Sequence, residues 1–222
     1  MCTHLTKHFL EMVDYMLSQI WATSVIPQSW LHSIVIPIYQ QGKPSNLPSS
    51  YWSISVTSNV CKIIEKMVVS WLKWFLEYHG LLCNVQSSFH SQQQMMDHIM
   101  RFHDVTNKPL ANKHYVIAVV IDIEKVYVMM CKDVLLLKLL KMGIRGNLFT
   151  FFCSFLSNCS FQVYVGFSLF MIRHTATGIP QGSILSLILF SNVGNDLPDY
   201  IQTPAGLNAD TFAFWDTGSC IK

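Results

Sequence analysis

The chain has 222 residues, of which 51% are hydrophobic and only 13% are charged, so it can bury a sizeable core and is not mainly disordered. Its formal net charge of +2 permits a nucleic-acid partner but does not indicate one, because dedicated binders usually carry a stronger basic excess. The seven cysteines show no CxxC pair and no spacing typical of zinc ligands. We therefore expect free thiols in a reducing compartment rather than disulfides or structural zinc.

The first predicted element is an amphipathic helix over residues 4–21, where apolar residues recur at spacings of three and four. Acids and histidines interrupt the apolar positions of MCTHLTKHFLEMVDYM, so the sequence predicts no signal-peptide core. We expect an intracellular protein, nuclear or cytoplasmic, that is not secreted.

A short strand and a loop follow in SIVIPIYQQGKPSNLPSSY, where Gly42, Pro44 and Pro48 mark the loop. The next helix is the clearest in the chain, with Ser58 placed to cap its start and Gly80 placed to end it. Its apolar residues are predicted to share one face: Val60, Ile63, Ile64, Met67, Val68, Trp71, Leu72 and Phe75.

A weaker helix is predicted over residues 95–106, before the strand YVIAVVID, which ends at Asp122. Its unbroken β-branched run is typical of a strand covered on both faces. A carboxylate at the end of such a strand is costly unless positive charge neutralises it. Asp122 is therefore a candidate metal ligand, although an aspartate at a strand end is also ordinary.

Residues 146–172 carry no charge and exceed the roughly 20 residues that span a bilayer, so a membrane helix is one interpretation. Polar breaks at Asn147, Asn158 and Gln162 and the alternation in FQVYV favour a buried helix followed by a strand. We predict helices over residues 131–142 and 147–157, and then a hairpin built from FQVYVGF and FMIRHTATG.

The segment GIPQGSILSLILFSNVGNDLPDYI is predicted as a turn followed by a helix that reaches about Tyr200. AGLNADTFAFW then predicts two short strands about a turn at Asp210 and Thr211. Helices mixed with scattered strands predict an α+β fold. Asp210 is a second carboxylate between apolar strands, and two such residues suggest a divalent metal, for which oxygen ligands favour magnesium.

Four segments follow one another along the chain: VVIDIEKVYV at 119–128, TGIPQGSILS at 177–186, LFSNVGNDLPD at 189–199 and GLNADTFAFW at 206–215. This series resembles the palm motifs of reverse transcriptases from non-LTR, LINE-type retrotransposons, nearest the jockey-like group. WLHSIVIPIYQQGKPSNLPSSYWSISVTSNVCKIIEKMV resembles the fingers segment of that family, and LLCNVQSSF resembles the segment after it. The resemblance covers residues 30–215, most of the chain.

The resemblance implies the fingers and palm of a right-hand polymerase, with an antiparallel palm sheet packed by helices. It implies an N-terminal helical segment over 1–29, a fingers-like region over 30–114 and a palm-like region over 115–222, with one reverse transcriptase domain over about 30–216. The family's thumb and upstream endonuclease are expected to be missing, so we expect no processive synthesis. The implied partners are an RNA template, a DNA primer and dNTPs, with no stable membrane association and no known protein partner.

The resemblance also implies a two-metal site. Asp122 corresponds to the aspartate of the first palm motif, and Asp210 to the first of two paired aspartates in the family's hairpin. Both are the implied catalytic and Mg²⁺-binding residues for RNA-directed DNA synthesis.

The implied substrate-binding residues are Tyr127, Gln181, Gly182 and Lys43. Tyr127 matches the aromatic side chain that packs under the deoxyribose, and Gln181 and Gly182 match the turn that approaches template and nucleotide. Lys43 matches a fingers lysine near the triphosphate. From the residues alone, Tyr127 is equally a core side chain, Gln181 a turn residue and Lys43 a solvated loop charge.

Several residues depart from the family pattern. Thr211 replaces the second aspartate of the hairpin, and a neutral hydroxyl is a far poorer ligand for a hard cation. Trp52 and Ser53 replace an expected Arg-Pro pair, which removes a phosphate-binding guanidinium. Val128 stands where a further aspartate is usual. We therefore expect weakened Mg²⁺ binding and impaired or lost activity; the alternative is an inactive remnant that still binds RNA or DNA weakly.

The arginine count supports the same interpretation. Only three arginines occur in the chain, and Trp52 and Cys159 both stand at positions where the family commonly has arginine. Arginine changes to Trp, Cys, His or Gln when CG-containing codons undergo C-to-T transitions. The sequence therefore predicts a degenerate copy of an element.

Overall fold

The computed structural model describes residues 2–86, 95–112, 114–123, 126–179, 182–201, 203–208 and 211–218. Helices and strands alternate irregularly within them, which confirms the predicted α+β class. The chain divides into two compact units, each built from two separate stretches. Unit one comprises Met1–Met67 and Tyr127–Ser186, and unit two comprises Val68–Val126 and Leu187–Lys222. The predicted fingers-like and palm-like regions stay a prediction.

The helices of the described residues are α1 (Cys2–Thr23), α2 (Asn59–Tyr78), α3 (Met95–Ala111), α4 (Val126–Met129), α5 (Lys132–Lys141), α6 (Gly146–Leu156) and α7 (Ile184–Gly194). The strands are β1 (His32–Tyr39), β2 (Tyr51–Val56), β3 (Tyr115–Asp122), β4 (Ser160–Val165), β5 (Ser168–Leu169), β6 (Arg173–His174), β7 (Ala205–Asn208) and β8 (Thr211–Gly218). Short 3-10 helices cover Gln28–Trp30, Pro48–Ser50 and Leu197–Tyr200. None of the helices in these ranges is long and apolar enough to cross a membrane.

Unit one is organised around a sheet in the order β2-β1-β4-β5, with β6 also paired to β4. β1 pairs antiparallel with β2 and parallel with β4, so that His32 lies opposite Ser160. The uncharged stretch 146–172 forms α6 followed by β4 and β5, which confirms the predicted helix and strand. The aromatic side chains of Phe151, Phe152 and Phe155 on α6 are buried.

The caps predicted for α2 are confirmed. The Cys61 N–H donates to the Ser58 hydroxyl at 3.4 Å. At the other end Gly80 has φ +61°, and the Leu81 N–H donates to the Leu76 carbonyl at 2.9 Å, as in a glycine-terminated helix.

The apolar face predicted for α2 is only partly buried. Ile64, Val68 and Leu72 are buried, but four apolar residues of that face are 39–55% exposed: Val60, Ile63, Met67 and Trp71. Cys61, Glu65 and Leu76 are buried instead. The apolar residues cover more than one side of this helix, so periodicity alone did not fix which side faces the core.

Unit two contains an antiparallel sheet in the order β3-β8-β7. Phe212 of β8 packs with Ala205 and Leu207 in a buried cluster. On β8, Trp215 contacts Phe102 of α3 edge to face, with ring centroids 5.2 Å apart. The last two predicted strands are therefore confirmed, but Thr211 lies in β8 opposite Asn208 rather than in the turn.

Strand β3 occupies its predicted position but is not covered on both faces. Ile117, Val120 and Ile121 are 56%, 65% and 44% exposed. β-branched residues favour extended backbone whatever lies against them, so the run predicted the strand and not its burial. The helix predicted to reach Tyr200 ends at Gly194, and a separate 3-10 helix follows.

Candidate functional site

The carboxyl end of β3 places Asp122 directly opposite Thr211, the first residue of β8. Thr211 in turn lies opposite Asn208, the last residue of β7. Directly opposed residues of antiparallel strands share one face, with Cβ atoms about 4.5–5.5 Å apart. The Asp122 side chain is exposed and that of Thr211 is half-buried. The three strands of unit two therefore meet at one edge of the sheet, with a carboxylate beside a hydroxyl.

Asp210, the second predicted ligand, lies outside the described residues, as does Gln181. The described residues contain no group of three or more His, Cys, Asp or Glu side chains placed to hold a metal ion. The donors that they do offer are the Asp122 carboxylate and the Thr211 hydroxyl on neighbouring strands. This set fits one part of a magnesium site, because that ion commonly takes one or two protein carboxylates and fills its shell with water and phosphate oxygens.

In unit one, Tyr127 lies in α4, and the segment Thr177–Ile179 packs against the backbone of that helix. The Ile179 N–H donates to the Tyr127 carbonyl at 2.8 Å, and the Thr177 hydroxyl donates to the Val128 carbonyl at 3.2 Å. Gly178 has φ +81°, and a Cβ atom there would lie 2.6 Å from the Val128 carbonyl oxygen. Only glycine permits this close approach, so Gly178 allows residues 177–179 to pack against α4.

Gly182, a predicted substrate-binding residue, lies against strand β2. Its φ is +138°, and a Cβ atom at this position would overlap the carbonyl oxygen of Ser55. The Thr57 hydroxyl donates to the Gly182 carbonyl at 3.5 Å. The backbone at 182 is therefore held against β2 and the residues that follow it.

A buried carboxylate caps the helix that follows this glycine. Glu65 of α2 is only 1% exposed. Its Oε2 accepts hydrogen bonds from the Ser183 hydroxyl at 2.7 Å, the Ile184 N–H at 2.6 Å and the Leu185 N–H at 3.2 Å. Two of the backbone donors that a helix start leaves unpaired are thereby satisfied, and the carboxylate sits at the positive end of α7.

The thiol of Cys61, one helical turn before Glu65, responds to this charge. Burial, and after it the neighbouring Glu65 carboxylate, together raise the pKa of Cys61 to about 12. Burial also raises the pKa of Cys159. Both are free thiols that stay protonated at neutral pH, as expected for structural rather than nucleophilic cysteines.

Lys43 and Trp52 lie at the β1–β2 end of unit one. Lys43 is exposed in the loop, and its carbonyl accepts a hydrogen bond from the Tyr39 hydroxyl. Trp52 of β2 lies opposite Ile38 and is 67% exposed. The Lys43 ammonium makes no described contact with the other predicted substrate residues, so its assignment rests on the sequence motif.

Residues 41–217 match the family described as reverse transcriptase (RNA-dependent DNA polymerase). This match covers well over half of the chain. The chain belongs to the reverse transcriptase family. The same segment carries every residue of the site described above, which makes the family assignment relevant to that geometry.

Three fruit-fly proteins resemble this reverse transcriptase domain. It is 27% identical over 172 residues to the probable RNA-directed DNA polymerase from transposon BS of Drosophila melanogaster, covering 78% of this chain and 19% of that protein. It is 24% identical over 191 residues to the RNA-directed DNA polymerase from mobile element jockey, covering 86% and 21%, and 24% identical over 172 residues to the probable polymerase from transposon X-element, covering 78% and 19%. The predicted resemblance to jockey-like reverse transcriptases is confirmed. The chain spans about a fifth of the length of these relatives.

A solved structure supports the fold. Apo telomerase from Candida tropicalis, truncated from its C-terminal domain, aligns with a TM-score of 0.54 at 14% identity, covering 92% of this chain and 48% of that one. At this identity the likeness concerns the fold alone. It is consistent with a reverse transcriptase fold for the mixed helices and strands described above.

Two residues whose side chains hold distant backbone segments of this reverse transcriptase domain were not predicted from the sequence. Glu65 carried a signal, because it is an acid within the apolar stripe of an amphipathic helix. Asn195 of the NDLPD motif accepts from the Cys83 N–H at 2.7 Å and donates to the Leu81 carbonyl at 2.7 Å, fixing the chain after α2. Nothing in its local sequence indicates these partners, which lie more than a hundred residues away.

Proposed function

We propose that this chain is the fingers and palm part of a retrotransposon reverse transcriptase whose ancestral activity is RNA-templated DNA synthesis. The observation that carries the proposal is the position of Asp122 opposite Thr211 at one sheet edge. Asp210 immediately precedes Thr211 in the sequence. A carboxylate from β3 and one from the segment between β7 and β8 would thus serve one metal site. The substrates of the proposed reaction are an RNA template, a DNA primer and dNTPs.

Asp122 and Asp210 are the residues that would hold Mg²⁺. When bound, the metal supplies charge stabilisation for in-line nucleotidyl transfer. The chain's own contribution is to keep a carboxylate on the end of a hydrogen-bonded strand, where its position is fixed by the register of β3 and β8. Such a fixed ligand requires little reorganisation when charge develops.

Tyr127, Gln181, Gly182 and Lys43 are the proposed substrate-binding residues. The fixed backbone at Tyr127 and the bare glycine backbone at 182 support this assignment. Tyr127 would pack under the deoxyribose, and the turn at 181 and 182 would approach template and nucleotide. Lys43, exposed on a loop, would reach the triphosphate.

We further propose that activity is impaired in this copy. Thr211 presents a hydroxyl where the family has a carboxylate, and Trp52 presents an exposed indole where the family has a guanidinium. Losing one group that stabilises developing charge typically costs about 10²–10³-fold in rate. These two substitutions favour the second candidate function, an inactive domain with residual binding of RNA or DNA.

Primer extension on an RNA template with Mg²⁺ or Mn²⁺ tests the proposal. The full chain is compared with its Asp122→Ala variant, which removes the described carboxylate and leaves the strand pairing unchanged. Incorporation that depends on Asp122 supports an active enzyme. Binding of the primer–template without Asp122-dependent incorporation supports the inactive domain.

Restoring the missing groups is the sharper trial. The variant Thr211→Asp with Trp52→Arg, supplied with a thumb, is expected to gain at least about 10²-fold in incorporation over the unrestored chain with the same thumb. The single variant Val56→Arg is the matched control, because it adds an arginine at another exposed position of β2. No gain in the restored protein would show that these two positions are misassigned.

A further inference from the structure

We infer that Glu65 is a positioning residue that sets the turn at Gly182 for the incoming nucleotide. The inference rests on the proposed function, which puts the nucleotide at this turn. Glu65 touches neither metal nor substrate in the proposal. It acts through the start of α7, which follows Gly182 directly in the chain.

The start of α7 is capped by the distant Glu65 carboxylate and not by the residue at its own N-terminus, Ser183. Ser183 precedes the first helical residue and is of the type that normally caps a helix by accepting from its backbone N–H groups. Here the Ser183 hydroxyl donates to Glu65 instead, at 2.7 Å. The carboxylate accepts from Ile184 and Leu185 in its place. Hydrogen bonds therefore hold the start of α7 to α2. Ser183 and Glu65 are 118 residues apart in the sequence.

The other side of the turn is held by β2. Gly182 lies so close to the Ser55 carbonyl that no side chain fits, and Thr57 donates to its carbonyl. The segment that begins at Gly182 thus packs against Ser55 and is hydrogen-bonded to Glu65. A displacement of about 1 Å in such a positioning element can cost roughly 10²-fold in reaction rate without any loss of a reacting group.

The charge of Glu65 is matched to this task. A carboxylate buried to this degree is costly unless its oxygens are hydrogen-bonded and positive potential lies nearby. The two backbone N–H groups and the positive end of α7 supply both. The protonated Cys61 thiol adds a weak donor from the same helix. Replacing the carboxylate by a neutral amide is expected to weaken these hydrogen bonds while the volume of the side chain stays nearly the same.

The test uses the 222-residue chain carrying Thr211→Asp, which provides the third carboxylate of the proposed metal site. Into it are placed Glu65→Gln and, as a matched control, Glu77→Gln, which removes the same charge from an exposed position of α2. Fluorescence anisotropy measures the affinity for a labelled RNA/DNA primer–template with Mg²⁺, first alone and then with the complementary dNTP. Amide hydrogen exchange of peptides covering 178–190 is followed in the same proteins.

For Glu65→Gln, we expect primer–template affinity within about twofold of the parent, because phosphate contacts elsewhere dominate it. We expect the dNTP-dependent gain in affinity to fall about tenfold or more, and the Ile184 and Leu185 amides to exchange faster. The control is expected to change neither. A purely structural role for Glu65 would lower both affinities together, which would overturn the inference, as would an unchanged dNTP effect.

The milder Ser183→Ala variant covers the case in which Glu65→Gln does not fold. It leaves the carboxylate and its two backbone donors in place and is expected to reduce the dNTP effect by a smaller factor. An unchanged effect in this variant, with Glu65→Gln unfolded, would leave only a structural role and so overturn the inference. If the parent with Glu65 intact shows no dNTP effect at all, the proposed function fails, and this inference fails with it.

Discussion

The two units treat their buried polar atoms differently. In unit one, Glu65 accepts three hydrogen bonds, and His32 shares one with Ser160 at 2.9 Å. Among the residues that the structure describes, six buried side-chain atoms lack a hydrogen-bond partner, and all six lie in unit two. They belong to Gln86, Asn192, Thr203 and Trp215. An unpaired buried polar atom costs roughly 1–3 kcal/mol. The described interior of unit two therefore carries an energetic cost that the described interior of unit one does not.

The exposure of the sheets does not separate the two units, because apolar side chains of β1 and β2 in unit one are exposed as well, among them Ile38 at 42% and Trp52 at 67%. β3 of unit two has an open row of β-branched side chains, whereas the sequence pattern is typical of a covered strand. The unit that carries Asp122 is the one whose described buried side chains include polar atoms without a partner. The unit that carries the Gly182 turn has a satisfied buried carboxylate. The comparison locates the defects of this reverse transcriptase domain in the part proposed to hold the metal.

The largest expected effect tests the close packing of unit one. Gly182→Ala should lower the free energy of unfolding by roughly 3 kcal/mol, because the new methyl overlaps the Ser55 carbonyl and the φ of +138° is strained for alanine. Gly42→Ala is the control, since Gly42 also has positive φ but open space around it, and should cost about 1 kcal/mol. Urea unfolding measures both. Equal losses would show that overlap at 182 is relieved.

A satisfied residue of unit two gives the next effect. Asn195→Ala should lower the free energy of unfolding by roughly 2 kcal/mol, since it leaves the Cys83 N–H and the Leu81 carbonyl without their side-chain partner. Asn107→Ala on the exposed surface of α3 is the control and should change stability by less than about 0.5 kcal/mol. A loss no greater than the control's would mean that water replaces both bonds at little cost.

An unsatisfied asparagine three residues earlier, in α7, should respond in the opposite direction. Asn192 of α7 is fully buried, and neither of its amide atoms has a partner. Asn192→Leu keeps a similar volume, removes both orphaned atoms and should raise the free energy of unfolding by roughly 1–2 kcal/mol. Thermal unfolding beside Asn195→Leu, which should destabilise, makes the comparison direct. Destabilisation by both would contradict the contrast between the two asparagines.

The last effect is confined to alkaline pH. The Cys61 thiol has its pKa raised to about 12 in the folded chain, against 9.0 for an unperturbed thiol. The folded state thus holds this proton more tightly, and the stability it contributes is complete below pH 9 and lost as the pH rises toward 12. Cys61→Ala should flatten the fall in unfolding free energy over this window. Cys131→Ala, at an exposed position, should leave it unchanged.

Much of the fold was predictable because it is encoded locally. The helix start at Ser58 and its end at Gly80 follow from side-chain and backbone preferences within a few residues. The strand at Asp122 follows from its β-branched run. Strand β2 was missed because YWSISV follows directly on a proline- and serine-rich loop. The exposed side of α2 could not be predicted, because which apolar stripe is buried depends on partners distant in the sequence.

The site was predictable only in part for the same reason. The motifs indicated Asp122 and Gly182, and the register of β3 with β8 then placed Asp122 opposite Thr211. Glu65 and Asn195 act on backbone groups more than a hundred residues away, and although an acid within an apolar stripe marks Glu65 as unusual, the local sequence does not indicate the partners of either residue. The assignments of Asp210 and Gln181 stay predictions, because both lie outside the described residues.

Each unit is built from two stretches that are separated in the sequence, and this affects folding while the chain is being synthesised. Strand β1 pairs with β4, so its β4-facing edge is synthesised first and stays unpaired while residues 40–159 are made. At about 5–20 residues per second, that interval lasts roughly 6–24 seconds. An exposed apolar strand edge of that duration is a target for chaperones and for aggregation. During synthesis, the β4-facing edge of β1 must therefore stay unpaired until residues 160–165 have been made.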